Sequence, residues 1–305
     1  MSATTRSSRL TIADITKLYS DGQRFAMLTA YDYPTARLVD EAGVPIILVG
    51  DSLATVMLGY DSEIRVTVDQ MLHHTGAVVR GTEHAVVVGD MPFLSYATPA
   101  EAVENAGRFL QEAGAQAVKM EGGVRSARQI EAVVKAGIPV MGHVGWTPQS
   151  KHALGGKVRV QGKSADRARA LIADAFAVQE AGAFAVVLEL VPDQLARALT
   201  ERLSIPTIGI GAGPGCSAEV QVITDLLGVT DWHPRHAKAF ANLRETILGA
   251  VTEYVAEVAA GTFPGPEQTV YMDDATLDEV EGRSLLDQPS SESSMALAIP
   301  LDRDL

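Results

Sequence analysis

The sequence predicts a (β/α)8 barrel, and three observations predict it. From residue 25 onward, short apolar runs alternate with longer stretches of helical periodicity. The runs are apolar throughout, as strands buried on both faces of a parallel sheet must be, and lack the apolar/polar alternation of a sheet with one face in water. No Pro/Gly-rich linker interrupts residues 25–260, so the repeat belongs to one domain with helices around a closed sheet.

The strands are read in order at AMLTAY (26–31), IILVG (46–50), AVVVG (85–89), AVKME (117–121), PVMGHV (139–144), AVVLEL (185–190) and TIGIG (207–211), with a weaker eighth at GVTDW (228–232). The helix before the fourth strand carries its own punctuation. Thr98 is the N-cap, Pro99 the first position and Glu101 the partner that completes a capping box, while Gly114 is the stop. Its inward face is Ala102, Val103, Ala106, Phe109, Leu110 and Ala113. Ser164 followed by Ala168, Leu171, Ile172, Ala175 and Gly182 repeats the scheme before the sixth strand. Residues 236–260 read as one long helix. Residues 1–24 form an N-terminal segment, residues 25–265 the barrel with its C-terminal helix, and residues 266–305 an acidic, flexible tail: from Glu267 to Leu305 ten Asp or Glu stand against two Arg.

Composition narrows the classes of function. A net charge of -13 argues against a nucleic-acid partner, which requires a basic face. No apolar run reaches the roughly 18 residues of a membrane helix, and the N-terminus lacks the apolar core of a signal peptide. A single cysteine, Cys216, makes no intrachain disulfide and excludes a cysteine-rich metal centre. The expectation is a soluble, cytoplasmic protein with no membrane partner.

Four strands carry an acid at or just beyond their C-terminal ends: Asp51, Asp90, Glu121 and Glu189. In a barrel this is the catalytic face. A carboxylate there is costly to bury unless it is paired, protonated or bound to metal, so any one alone is as readily a cap or an ion pair, but four on one rim call for a common cause. An all-oxygen set such as Asp51, Asp90 and Glu121 suits Mg²⁺ better than zinc. His233 and His236, interrupted by Pro234, have no third ligand nearby and read as a surface pair. Lys119 lies two residues before Glu121 and shares its face of the strand; it is a candidate for gripping a substrate carboxylate, and a plain Lys119–Glu121 ion pair is the simpler alternative. His143 ends the fifth strand, placed to hydrogen-bond the same substrate or to serve as a structural histidine. The glycines 209, 211, 213 and 215 do not fit G-x-G-x-x-G and are read as a tight strand-to-loop passage.

In order, the segments LTAYDYPTA, LVGDSLA, D-M-P-F at 90–93, VKMEGG, GHVGWTPQS, LELVP and GIGAGPG resemble the ketopantoate hydroxymethyltransferase family from about Leu10 to Gln268. The resemblance implies a barrel of the phosphoenolpyruvate/pyruvate type that assembles as a homo-oligomer, a decamer in that family. It implies Mg²⁺ at Asp51, Asp90 and Glu121, and substrate contacts at Ser52 and Lys119; the reading of the rim residues adds Asp51, Asp90 and His143 around the same acceptor. It implies Glu189 as the general base. The reaction implied is transfer of a hydroxymethyl group from 5,10-methylenetetrahydrofolate to 3-methyl-2-oxobutanoate, giving 2-dehydropantoate of the pantothenate pathway through a Mg-stabilised enolate. The folate comes from the resemblance alone.

Departures from the family pattern lie in loops. Ser150, Lys151 and His152 stand where the family commonly has Ser-Val-Asn. Ser217, Ala218 and Glu219 replace Asp-Gly-Gln, and Glu267, Gln268, Thr269 and Val270 replace Glu-His-Ser-Phe. They leave three alternatives: a paralogue acting on another 2-oxo acid, a metal-dependent aldolase or lyase on the same barrel, or a noncatalytic binding or assembly paralogue.

Overall fold

Eight parallel strands close into a barrel in chain order: β1 (Phe25–Thr29), β2 (Ile46–Val49), β3 (Val86–Asp90), β4 (Ala117–Glu121), β5 (Val140–Gly145), β6 (Ala185–Glu189), β7 (Thr207–Ile210) and β8 (Ala218–Gln221). The computed structural model describes residues 9–231 and 234–282. The chain falls into two units, divided between Glu245 and Thr246.

The first seven strands lie where the apolar runs place them; the eighth does not. β8 is the four-residue Ala218–Gln221, paired with β7 and β1. Only its inward residues, Ala218 and Val220, are buried, and Glu219 and Gln221 are half-buried, so its sequence lacks the all-apolar signature of the others. Gly228–Asp231, read as that strand, instead follows the helix Ile223–Leu227, where Gly228 takes the left-handed cap conformation (φ 64°). Trp232 and His233 lie outside the described residues.

Period-2 alternation sorts the strand side chains into two layers. Met27, Ile46, Leu48, Val86, Val88, Ala117, Met141, Ala185, Val187, Ile208 and Val220 fill the barrel interior. Ile15, fully buried, joins the same cluster, so the helix Ile12–Ser20 within the N-terminal segment closes the floor. The outward strand residues pack under the helices. The helix Pro99–Gln111, with Thr98 and Glu101 in the expected capping box, buries Ala102, Ala106 and Phe109. The Phe109 ring crosses β3 at Gly89, where a Cβ would sit 2.4 Å from ring Cδ1, so no larger residue fits there. The helix Ala165–Glu180 starts at the cap Ser164 and buries Leu171, Ala175 and Val178.

The long C-terminal helix begins at Leu243, not at residue 236. The preceding segment is held by bonds to distant backbone and side chains: Lys238 N–H donates to Gln221 Oε1 (3.0 Å), Phe240 N–H to the Leu226 carbonyl (2.8 Å) and Arg244 N–H to the Gly228 carbonyl (3.0 Å). Beyond it, the tail holds a helix at Asp274–Gly282, and every side chain from 266 to 280 is exposed; residues 283–305 lie outside the described residues. Among the described residues no helix is long and apolar enough to cross a membrane.

Glu219 carries a testable consequence of the short β8. Burial raises its carboxyl to about 7, with Arg24 offsetting part of the effect. A carboxyl whose folded pKa lies above its unfolded value stabilises the fold fully below the unfolded pKa, and that contribution is lost as pH rises toward about 7. Glu219→Gln is therefore expected to melt above the parent at pH 8, with the gap closing by pH 5. A gap of equal size at both pH values contradicts the assignment.

Candidate active site

On β3, β4, β5 and β6 the inner face is apolar at the floor and ionisable at the mouth. Val86 and Val88 lead to Asp90, Ala117 to Lys119 and Glu121, Met141 to His143, and Ala185 and Val187 to Glu189, always at steps of two. Strand register makes these groups neighbours: Asp90 is opposite Lys119, and Glu121 opposite His143. Asp51 arrives from the turn after β2. That turn runs into the short helix Leu53–Val56, and Asp51 N–H donates to Asp90 Oδ2 (2.9 Å). Ser52 Oγ lies 2.8 Å from the hydroxyl of the buried Tyr31.

The cluster is almost dry: Asp90 is 0% exposed, Glu121 1% and Lys119 4%. Lys119 Nζ stands 2.9 Å from Asp90 Oδ1. The lysine is thus paired across strands with Asp90, not with Glu121 on its own strand. Burial alone would lower the Lys119 ammonium, but Asp90, Asp51 and Glu121 outweigh it and hold the pKa above its ordinary value. Burial drives Asp90 well above the carboxylate range despite Lys119, and raises Glu121 to about 8. His143 Nδ1 lies 3.2 Å from Lys119 Nζ and 3.4 Å from Glu121 Oε1. Burial, then Lys119, lowers its pKa, which favours the neutral ring.

Glu189 stands apart from the other three acids, with Oε2 3.2 Å from His143 Nε2 in a contact not aligned as a hydrogen bond. Its side chain is 16% exposed. Burial raises its pKa and the His143 contact opposes the rise. The backbone is fixed on both sides: the Glu189 carbonyl accepts from Trp146 N–H (2.8 Å), and Leu190 takes a left-handed conformation (φ 48°), a strain of order 1 kcal/mol that surrounding structure must hold.

Two further residues, Gln149 and Tyr96, complete the cluster; the motif GHVGWTPQS contains Gln149 but gives it no role. Buried Gln149 donates from Nε2 to Asp51 Oδ2 (2.9 Å) and to the Met91 carbonyl (3.0 Å), and its backbone N–H donates to Glu121 Oε2 (3.1 Å). Tyr96 OH donates to Gln149 Oε1 and accepts from Glu121 N–H. A buried polar side chain on a single 3₁₀ turn has no periodicity to announce it. His236, read as a surface residue, is half-buried and lines the mouth. The glycine loop is a packing feature: a Cβ on Gly213 would strike Asp193, and one on Gly215 would crowd Arg197.

Does this site suit a cation? As they stand, no three His, Cys, Asp or Glu side chains among the described residues converge to hold one. The charge and donor chemistry fit. Three buried acids face one lysine and one histidine; Asp90 Oδ1 meets only the Lys119 ammonium, and Glu121 Oε1 is buried without a hydrogen-bond partner. Three oxygen donors that a cation would keep ionised, against one lysine, match a hard divalent ion. Above them opens a cavity of about 630 Å³ lined also by Ser52, Trp146, Lys151, Val158, Leu190 and Ile210.

Fold and site together define a (β/α)8 enzyme with an acidic, cation-suited mouth and one separate carboxylate facing a histidine. The chain belongs to the ketopantoate hydroxymethyltransferase family, a family of transferase enzymes, whose family model matches residues 9–266. It is 59% identical over 270 residues to 3-methyl-2-oxobutanoate hydroxymethyltransferase of Chloroflexus aurantiacus, covering 88% of this chain and 95% of the relative. The protein of that name from Dehalococcoides mccartyi is 53% identical over 275 residues, covering 90% and 97%. Among solved structures, phosphonopyruvate hydrolase in complex with oxalate and Mg²⁺ superposes with a TM-score of 0.55 at 13% identity, covering 90% of this chain and 96% of that one. For 2,3-dimethylmalate lyase, of the PEP mutase/isocitrate lyase superfamily, the TM-score is 0.55 at 17% identity, with 90% and 95% covered. These two likenesses show the barrel alone.

Proposed function

We propose that the chain transfers a hydroxymethyl group from 5,10-methylenetetrahydrofolate to 3-methyl-2-oxobutanoate, giving 2-dehydropantoate. The observation that carries this reading is the division of the rim acids: three gathered around Lys119 and Gln149, and Glu189 held apart against His143. Mg²⁺, when bound by Asp51, Asp90 and Glu121, supplies positive charge that polarises the 2-oxo group. Lys119 and Ser52 bind the acceptor carboxylate. Glu189 takes the proton from C3, with His143 Nε2 3.2 Å from its Oε2. C3 then forms its bond to the methylene carbon, the carbon–nitrogen bonds to the folate break, and a water supplies the new hydroxyl, so tetrahydrofolate leaves.

Support for an anionic folate comes from the rim. Between Lys151 and Arg169 six cationic side chains stand against one acid, Asp166. Lys151 lines the mouth, and Arg125 and Arg167 line an adjoining cavity of about 770 Å³. We also take the enzyme to be a cytoplasmic homo-oligomer: the helix Leu243–Ala260 exposes Ile247, Leu248, Val251, Tyr254, Val255 and Val258, an apolar load that assembly of several copies would cover.

Purified protein given labelled 3-methyl-2-oxobutanoate, Mg²⁺ and methylenetetrahydrofolate is expected to form labelled 2-dehydropantoate, and to form none without the folate. Turnover with an aldehyde in place of the folate would assign a metal-dependent aldolase. A higher kcat/KM for a different 2-oxo acid would assign a specialised paralogue, and no turnover with any 2-oxo acid a binding protein.

A further inference from the structure

Each of the three clustered carboxylates has one oxygen tied to a protein N–H. Asp90 Oδ2 accepts from Asp51 N–H (2.9 Å), Glu121 Oε2 from Gln149 N–H (3.1 Å), and Asp51 Oδ2 from Gln149 Nε2 (2.9 Å). The other oxygens stay outside these bonds: Asp90 Oδ1 faces Lys119 Nζ at 2.9 Å in an ion pair, and Glu121 Oε1 is buried with no hydrogen bond, His143 Nδ1 standing 3.4 Å away. The Gln149 amide is itself fixed at both ends, by the Met91 carbonyl (3.0 Å) and by the Tyr96 hydroxyl on Oε1.

We propose that Gln149 is a positioning residue that restricts Asp51 to one oxygen toward the cation and so makes the site select Mg²⁺ over Ca²⁺. The inference rests on Asp51, Asp90 and Glu121 being the cation's ligands. The chemistry follows from the demands of the two ions. Ca²⁺ takes six to eight oxygens, commonly with a carboxylate gripping through both. Mg²⁺ takes six in strict geometry and keeps water or substrate oxygens among them. Three carboxylates that each offer at most one oxygen, that of Asp90 shared with Lys119, leave room for the second kind of sphere and starve the first. Gln149 differs from Lys119 and Asp90 in this respect: it contributes no charge, so its removal alters how Asp51 is presented without altering the charge of the site.

The test is binding of the metals alone to the full-length, chelator-stripped protein, with Mg²⁺ and Ca²⁺ each competing against Mn²⁺ followed by electron paramagnetic resonance. The parent is expected to release Mn²⁺ to Mg²⁺ far more readily than to Ca²⁺. In Gln149→Leu the ratio of Ca²⁺ to Mg²⁺ affinity should rise about tenfold or more, the usual size of effect when a group that orients a metal ligand is removed. Tyr96→Phe, which keeps the ring and removes the hydroxyl that donates to Gln149 Oε1 and accepts from Glu121 N–H, should shift the ratio in the same direction by less. It keeps the test decisive should the leucine variant fail to fold, as judged by its melting. An unchanged ratio in a folded variant of both kinds overturns the role of Gln149. A parent that binds no Mn²⁺, or an Asp90→Asn variant that binds it as the parent does, instead overturns the ligand assignment beneath it.

Discussion

Glu189→Gln is expected to lower kcat by about 10²- to 10⁴-fold, the usual contribution of a general base, with little change in metal or substrate affinity. The amide keeps the side-chain volume and leaves the Glu189 carbonyl's bond from Trp146 N–H in place. What it removes is the basic oxygen. Glu189 suits that role because burial raises its pKa above the ordinary carboxylate value, which strengthens it as a base, while the His143 contact limits the rise. Steady-state and single-turnover rates of the variant measure the effect. A fall smaller than about threefold would move the base to His143, whose Nε2 stands 3.2 Å from Glu189, since a true general base contributes far more.

Lys119→Met is expected to destabilise the metal-free protein by about 3–5 kcal/mol, the cost of removing one partner from a buried ion pair. Lys119 is the cation within reach of Asp90, and it is as dry as the acids around it. Adding Asp90→Asn removes the stranded charge, so the double variant should be more stable than Lys119→Met alone. Urea unfolding of the parent, both single variants and the double variant closes the cycle. If Lys119→Met unfolds at the parent's midpoint, the acids are neutral in the fold and the lysine compensates nothing.

How far the sequence carries this account differs from element to element. β1 to β7 are legible because a strand buried on both faces must be apolar at every position, and the capping box at Thr98 and Glu101 because it is a local bond between residues three apart. β8 escapes that logic: with no helix between β7 and β8, its outward Glu219 and Gln221 are polar and half-buried. The start of the helix Leu243–Ala260 escapes it too, because the segment before Leu243 is fixed by bonds to β8 and to the helix Ile223–Leu227, which no local pattern encodes.

The site divides in the same way. That Lys119 and Glu121 share a face follows from the period of a strand, and the placing of Asp51, Asp90 and Glu189 on the rim follows from acids that end apolar runs. That Lys119 pairs with Asp90 is set by the register between β3 and β4, which places Asp90 opposite Lys119. Gln149 and Tyr96 act through single long-range bonds from irregular segments, and His236 reaches the mouth from a turn. Such residues become visible only once the barrel is closed.

The central claim is that Glu189 removes the C3 proton of a 2-oxo acid held over the acidic cluster. Its most direct test is exchange of that proton with deuterium, followed by NMR, for 3-methyl-2-oxobutanoate in heavy water with Mg²⁺ and no folate. The parent is expected to exchange the proton, Glu189→Gln to exchange it slower by the same about 10²- to 10⁴-fold, and chelation to abolish exchange in both. Exchange by Glu189→Gln at the parent's rate would contradict the account.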